Sequence, residues 1–136
     1  MCLYIGITPE QLKAETDIIC YKVLFSSKKA TLFGQFFEQK GLYTPYQKFK
    51  VCIGRAYKSE FTYTMSGKGV EKAIHSFTTV ESAKLDVHFF EGFSRYKGNM
   101  CICKCLIPKG SRYYQGTFDG RASYASNKIK YLEIIN

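Results

Sequence analysis

Between Lys109 and Lys128 the chain reads KGSRYYQGTFDGRASYASNK, which sets four cations, Lys109, Arg112, Arg121 and Lys128, beside three phenol rings, Tyr113, Tyr114 and Tyr124. Ser111, Ser123, Ser126 and Asn127 add hydroxyl and amide groups to the same run. Cationic side chains neutralise phosphate, aromatic faces stack on bases, and hydroxyls bond ribose or phosphate oxygens. The run therefore suits an anionic, flat ligand. Lys109, Arg112 and Arg121 are the expected phosphate contacts. Tyr113, Tyr114 or Tyr124 is the expected stacking ring, and Ser123 and Ser126 the expected ribose or phosphate partners. His75, immediately before a predicted helix cap, is expected to contact the ligand from the opposite wall. The plainer alternatives are an imidazole bonded to a nearby carbonyl, tyrosines packed on a sheet edge and serines that only form turns.

Other chemistry-bearing residues lead less far. Lys22 interrupts an apolar run, so its ammonium either reaches solvent at a strand edge or meets an anion in a pocket. Ser66-Gly67-Lys68-Gly69 pairs glycine with lysine but lacks the spacing of a phosphate-cradling loop. Cys101, Cys103 and Cys105 fall on one face of a strand because side chains alternate with period two. Zinc sites use more widely spaced pairs placed on turns. These thiols are therefore expected to line a packed strand face, and no metal and no cofactor are expected. His88 reads as a structural helix residue, and no third member of a catalytic triad can be placed.

The elements that must carry these groups follow from local pattern. Thr8-Pro9-Glu10-Gln11 has the form of a helix start, predicting a short N-terminal helix that ends near Glu15 or Thr16. Asp17–Phe25 is a central, largely apolar strand. Residues 26–46 have no clean period, with TLFGQFF as a short strand or irregular segment. Gln47–Ile53 and Tyr57–Met65 alternate and are expected to pair as a hairpin. Thr78 with Glu81 forms a capping box ahead of one principal helix over about 79–91, with Val80, Ala83, Val87 and Phe90 facing the sheet and Gly92 as its stop. Asn99–Ile107 is a strand halted by Pro108, Lys109-Gly110 and Asp119-Gly120 are turns, and KIKYLEII returns as a strand. The prediction is a single α+β domain over 1–136, a mainly antiparallel twisted sheet with one principal helix.

Length and composition agree with one domain. The 136 residues are 46% hydrophobic, and 11 Tyr with 11 Phe favour half-buried sheet surfaces. Twenty Lys and Arg against 11 Asp and Glu leave a charge of +9, which favours nucleotides, nucleic acid or another polyanion as partner, although it also promotes solubility. The cations are spread along the chain rather than gathered in one arm. The start MCLYIGITPEQLK lacks the features of a secretory leader, so the six cysteines are expected as reduced thiols in the cytoplasm. No apolar stretch approaches the ~20 residues that span a bilayer, so no membrane partner is expected.

The ordered segments YKVL, TPY, HSF, IPKGSRYY and SYASNKI resemble a group of small bacteriophage and mobile-element proteins of gut Bacteroides-type bacteria, over Asp17 to Ile135. The resemblance implies a phage accessory protein that counters host immunity from the host cytoplasm, and it assigns no fold or catalytic residue. By function class the chain is also similar to viral sponges that sequester cyclic or ADP-ribose-derived immune signals, often as homo-oligomers closed around the ligand. A comparison with ADP-ribosyltransferase-like folds sets Glu133 at the catalytic glutamate, but Tyr21-Lys22-Val23 departs from the family's first strand and no Glu-x-Glu pair occurs. The leading expectation is a non-enzymatic binding protein for a phosphate-bearing nucleotide-type ligand. The alternatives are an ADP-ribosyltransferase-like or nucleotide-hydrolysing enzyme, and a nucleic-acid-binding protein.

Overall fold

A computed structural model describes residues 3–5, 10–27, 41–45, 50–93 and 99–135. Its strands are β1 (Leu3–Tyr4), β2 (Leu12–Lys13), β3 (Ile18–Ser27), β4 (Gly41–Tyr43), β5 (Lys50–Val51), β6 (Ala56–Lys58), β7 (Thr62–Tyr63), β8 (Gly69–Lys72) and β9 (Ile74–Phe77). Helix α1 (Val80–Glu91) precedes β10 (Met100–Ile107), β11 (Arg112–Phe118), β12 (Arg121–Ser126) and β13 (Lys128–Ile134). The main path of the sheet runs β6-β13-β10-β3-β9-β12-β11-β1-β8-β7, and the pairings are antiparallel. The predicted architecture, a mostly antiparallel sheet with one principal helix, is what is found.

Period-two alternation gives the sheet two apolar faces. On one face Val23, Phe77 and Ile102 pack against Ala83 and Phe90 of α1. On the other, Cys20, Leu24, Cys103, Cys105, Ile107, Ile129 and Tyr131 form the largest cluster, with Cys101 at its margin. The cysteines at 101, 103 and 105 thus pack along one strand face, with Cys103 and Cys105 at 0% exposure. Each fully buried Leu or Ile, such as Leu24 or Ile107, contributes roughly 1.5–3 kcal/mol. A third cluster joins Leu3, Val70, Ala73, Tyr114 and Ala125 where β1 pairs with β11. The approach is close: a Cβ at Gly116 would collide with the Tyr4 carbonyl oxygen.

Helix α1 begins one residue later than its capping signal suggested. Thr79, not Thr78, is the N-cap, its hydroxyl accepting from the Ser82 amide at 3.2 Å. The short N-terminal helix is not formed. Thr8 and Pro9 lie outside the described residues, and Leu12–Lys13 instead pairs with β11, Lys13 opposite Arg112 and Leu12 opposite Tyr113. Sheet pairing across some hundred residues overrides a local start signal that has little helix behind it. The TLFGQFF segment, 31–37, also lies outside the described residues. Tyr57–Met65 does not pair with the strand before it: β6 joins β13, β7 joins β8, and β5 joins β4.

The C-terminal run is a hairpin rather than a loop. β11 and β12 are in register from Tyr113↔Ser126 to Phe118↔Arg121. They are joined by Asp119-Gly120, whose φ angles of 52° and 76° are those of the two-residue turn that matches strand twist.

Candidate functional site

Strand β3 changes partner along one edge. β9 lies beside it at Tyr21, opposite Phe77, whereas β4 lies beside it from Phe25 to Ser27. Between these contacts stands Lys22, opposite Cys103 on the other edge and, by alternation, on the face of Cys20 and Leu24 away from α1. Here a cavity of about 600 Å³ opens. That volume is within the roughly 300–1,000 Å³ of small-molecule sites.

Five lysines from five strands line it: Lys22 of β3, Lys50 of β5, Lys58 of β6, Lys72 of β8 and Lys128 of β13. Among the described residues Glu60 is the single acid in the lining. Val51, Ala73 and Ile74 supply apolar wall, together with Tyr57 and Tyr131, whose rings meet edge to face at 5.5 Å. The Tyr57 hydroxyl is fixed by the Cys52 amide, which donates to it at 2.8 Å. Thr44, Ser59 and Asn127 complete the polar part.

The lysines are arranged against their own electrostatics. Lys58 and Lys128 are direct partners across the β6–β13 ladder, where like charges destabilise a sheet. Among the described residues the ion pairs are those of Arg121 with Asp86 and Asp119, so none of the five lysines is in one. Lys22 donates from Nζ to the His75 carbonyl oxygen at 2.5 Å. Burial holds its pKa below the usual lysine value, opposed by the thiols of Cys105, Cys20 and Cys103 and then by Asp86. The Tyr131 hydroxyl is held protonated, chiefly by burial.

None of the nine residues expected to bind ligand lines this cavity, although Asn127 and Lys128 of the same run do. Alternation divides six of the nine between the faces of the hairpin. Arg121, Ser123 and Tyr114 share the face of Phe77 and α1, while Tyr113, Tyr124 and Ser126 lie on the opposite face. Arg121 donates to the Ser82 carbonyl at 2.8 Å, reaches Asp86 at 3.2 Å and lies 4.8 Å above the Phe77 ring, so its guanidinium clamps β12 to α1. Tyr114 is buried, its hydroxyl 2.7 Å from that of Tyr63. Tyr113 and Tyr124 meet edge to face at 5.7 Å. Ser123 donates to the Arg121 carbonyl and Ser126 to the Lys128 carbonyl, each at 3.0 Å. Arg112 is exposed and donates to the Gln11 side chain at 3.2 Å; Lys109 is exposed in its turn, its backbone amide held by Asp17 at 2.8 Å.

His75 is 5% exposed, its Nε2 3.3 Å from the Glu71 carbonyl oxygen. Burial first, and then the charge of Lys22, lowers its pKa to about 4. The carbonyl-bonded alternative describes its surroundings. Lys50, Lys58, Lys72, Tyr57 and Tyr131 carried no sequence signal as site residues, since no spacing links them. Lys22 had one, the ammonium inside an apolar strand, and the pocket alternative describes where it lies.

Among the described residues no group of three His, Cys, Asp or Glu side chains is placed to hold a metal, and no helix is long and apolar enough to cross a membrane. No family model, curated protein or solved structure matches the chain.

Proposed function

We propose that the chain binds a phosphate-bearing, nucleotide-type ligand in the lysine cavity and holds it without turnover. The observation that carries this reading is Lys58 facing Lys128 directly across a ladder, on a cavity that, among the described residues, three further lysines and a single carboxylate also line. A phosphate between two ammonium groups replaces their repulsion with charge-assisted hydrogen bonds, each contributing about 1.5–3 kcal/mol. Tyr57, Tyr131 and Ile74 offer a flat apolar wall for a base, and Ser59 and Asn127 offer partners for ribose hydroxyls. Holding rather than converting is favoured because neither histidine lines the cavity and, among the described residues, no second carboxylate lines it with Glu60 to share acid–base work. In a phage accessory protein, such binding amounts to sequestering a nucleotide signal.

The test is native mass spectrometry and titration calorimetry of the purified protein with mononucleotides and cyclic dinucleotides. Saturable binding is expected, weakening with salt, with the ligand recovered intact after the protein is denatured. Recovery of a hydrolysed or transferred product would replace the binder with an enzyme. Affinity confined to oligonucleotides, with no saturation by mononucleotides, would replace it with a nucleic-acid-binding protein.

A further inference from the structure

We propose that Lys22 captures a phosphorylated aldehyde or ketone as a covalent imine, with the other cavity lysines holding the phosphate. The proposal rests on the cavity taking a phosphate ester and adds a carbonyl group to that ligand.

Lys22 differs from Lys50, Lys58 and Lys72 in where its amine is held. It belongs to a strand hydrogen-bonded along one edge by β10 through eight successive register pairs, from Ile18↔Ile107 to Phe25↔Met100. Lys50, Lys58 and Lys72 are exposed residues of short strands, two to four residues long. Lys22 is partly buried, and its Nζ is anchored on the His75 carbonyl oxygen while the residue lines the cavity. A lysine becomes nucleophilic when its amine is desolvated or set beside other cations, because both favour the neutral form. The first condition holds here, and the lowered pKa of Lys22, caused by burial, agrees with it. The groups that oppose neutrality are the thiols of Cys20, Cys103 and Cys105 and the Asp86 carboxylate. The Cys20 and Cys105 thiols are themselves pushed upward, Cys20 to about 11 by burial and Cys105 first by its hydrogen bond with Cys103, so they are protonated and neutral near pH 7.

The step balances without a redox partner. The nitrogen lone pair forms a bond to the carbonyl carbon as the C=O π pair moves to oxygen, which is protonated. The resulting carbinolamine takes a proton from solvent on that oxygen, loses it as water and becomes an iminium. One N–H remains on the iminium nitrogen, so the bond to the His75 carbonyl oxygen that positions the amine can persist in the adduct. The cavity ammonium groups bind the phosphate and so raise the effective concentration of the carbonyl beside Nζ.

Pyridoxal 5′-phosphate is a suitable probe, since it carries one aldehyde, one flat ring and one phosphate. The full chain is incubated with it, reduced with borohydride and mapped by peptide mass spectrometry. The expected result is an adduct at Lys22 at least about tenfold above that at any other lysine, lost in Lys22→Arg, which keeps a long N–H donor but cannot form the imine. Pyridoxal, lacking the phosphate, is expected to label Lys22 at least about tenfold more slowly. Labelling of exposed lysines with Lys22 spared overturns the proposal, and it does so on the wild-type chain, independently of whether a variant folds. Equal labelling of Lys22 by pyridoxal and its phosphate overturns the phosphate-directed part. Pyridoxine 5′-phosphate, which has no carbonyl, separates this inference from the reading beneath it: if it binds saturably while Lys22 forms no adduct with the aldehyde, phosphate binding stands and capture fails.

Discussion

Replacing Arg121 by alanine distinguishes a structural clamp from a phosphate ligand, because the two roles predict opposite pairs of outcomes. The guanidinium bonds the Ser82 carbonyl at 2.8 Å and lies 3.2 Å from Asp86, with side-chain exposures of 14% for Arg121 and 3% for Asp86. Removing one partner of so buried a pair costs up to about 3–5 kcal/mol. The contact with Asp119, at 3.8 Å and 83% exposed on that side, adds little to this. Lost packing of the guanidinium over Phe77 and Phe118 acts in the same direction. A small domain has roughly 5–15 kcal/mol of stability in total, so Arg121→Ala is expected to remove a large fraction of it. Urea unfolding followed by circular dichroism and tyrosine fluorescence measures the loss. Should Arg121→Ala stay within about 1 kcal/mol of the parent and weaken nucleotide binding more than about tenfold, the clamp is refuted and Arg121 is a ligand contact.

Two further outcomes follow from the same electrostatics. His75 titrates near pH 4 in the folded chain and near 6.5 when unfolded, so below 6.5 the unfolded state binds the extra proton. Its stabilising contribution is complete above pH 6.5 and is lost as pH falls toward 4, by about 2 kcal/mol at pH 5. Urea midpoints at pH 7 and pH 5 should show that loss in the parent and not in His75→Gln; an equal loss in both would show that His75 is not the titrating group. Lys58→Glu turns the Lys58/Lys128 repulsion into attraction and should raise stability by roughly 0.2–1 kcal/mol. The same substitution should weaken nucleotide binding at least about tenfold, so stability and affinity move in opposite directions. A Lys58→Glu chain that keeps its affinity would separate this pair from the ligand.

Local signals were readable wherever the physics was local. Helix α1 is announced by apolar residues at Val80, Ala83, Val87 and Phe90, and Asp119-Gly120 by the need for two positive φ angles in a two-residue turn. Consecutive threonines blur the cap by one residue, since either hydroxyl has the chemistry and only the geometry at Ser82 chooses Thr79. The N-terminal strand was not readable, because β2 is made by its partner: two residues have no pattern of their own, and β11 supplies the hydrogen bonds. The unmade hairpin of Gln47–Ile53 with Tyr57–Met65 fails for the same reason, β6 being claimed by β13, far along the chain.

The site shows where density along a chain and density in space part company. Lys109 to Lys128 is rich in cations and rings, but in a strand neighbours in sequence point to opposite faces. The hairpin therefore sends Arg121 and Ser123 toward α1 and Tyr124 and Ser126 to the far face, and each finds a structural partner there. The cavity lysines stand in the reverse relation. Positions 22, 50, 58, 72 and 128 have no common period and come from five strands, and only the pairing of β13 with β6 and the parting of β9 from β4 along β3 bring them to one opening. Spread along the chain, the surplus of positive charge reads as a general property. Folded, part of it converges on a space of about 600 Å³, with Lys58 set against Lys128 where a sheet gains nothing from the pairing. On the proposed function, an anion bound between Lys58 and Lys128 offsets the repulsion of a like-charged pair that weakens its own ladder, which is why the cavity rather than the hairpin is the site proposed.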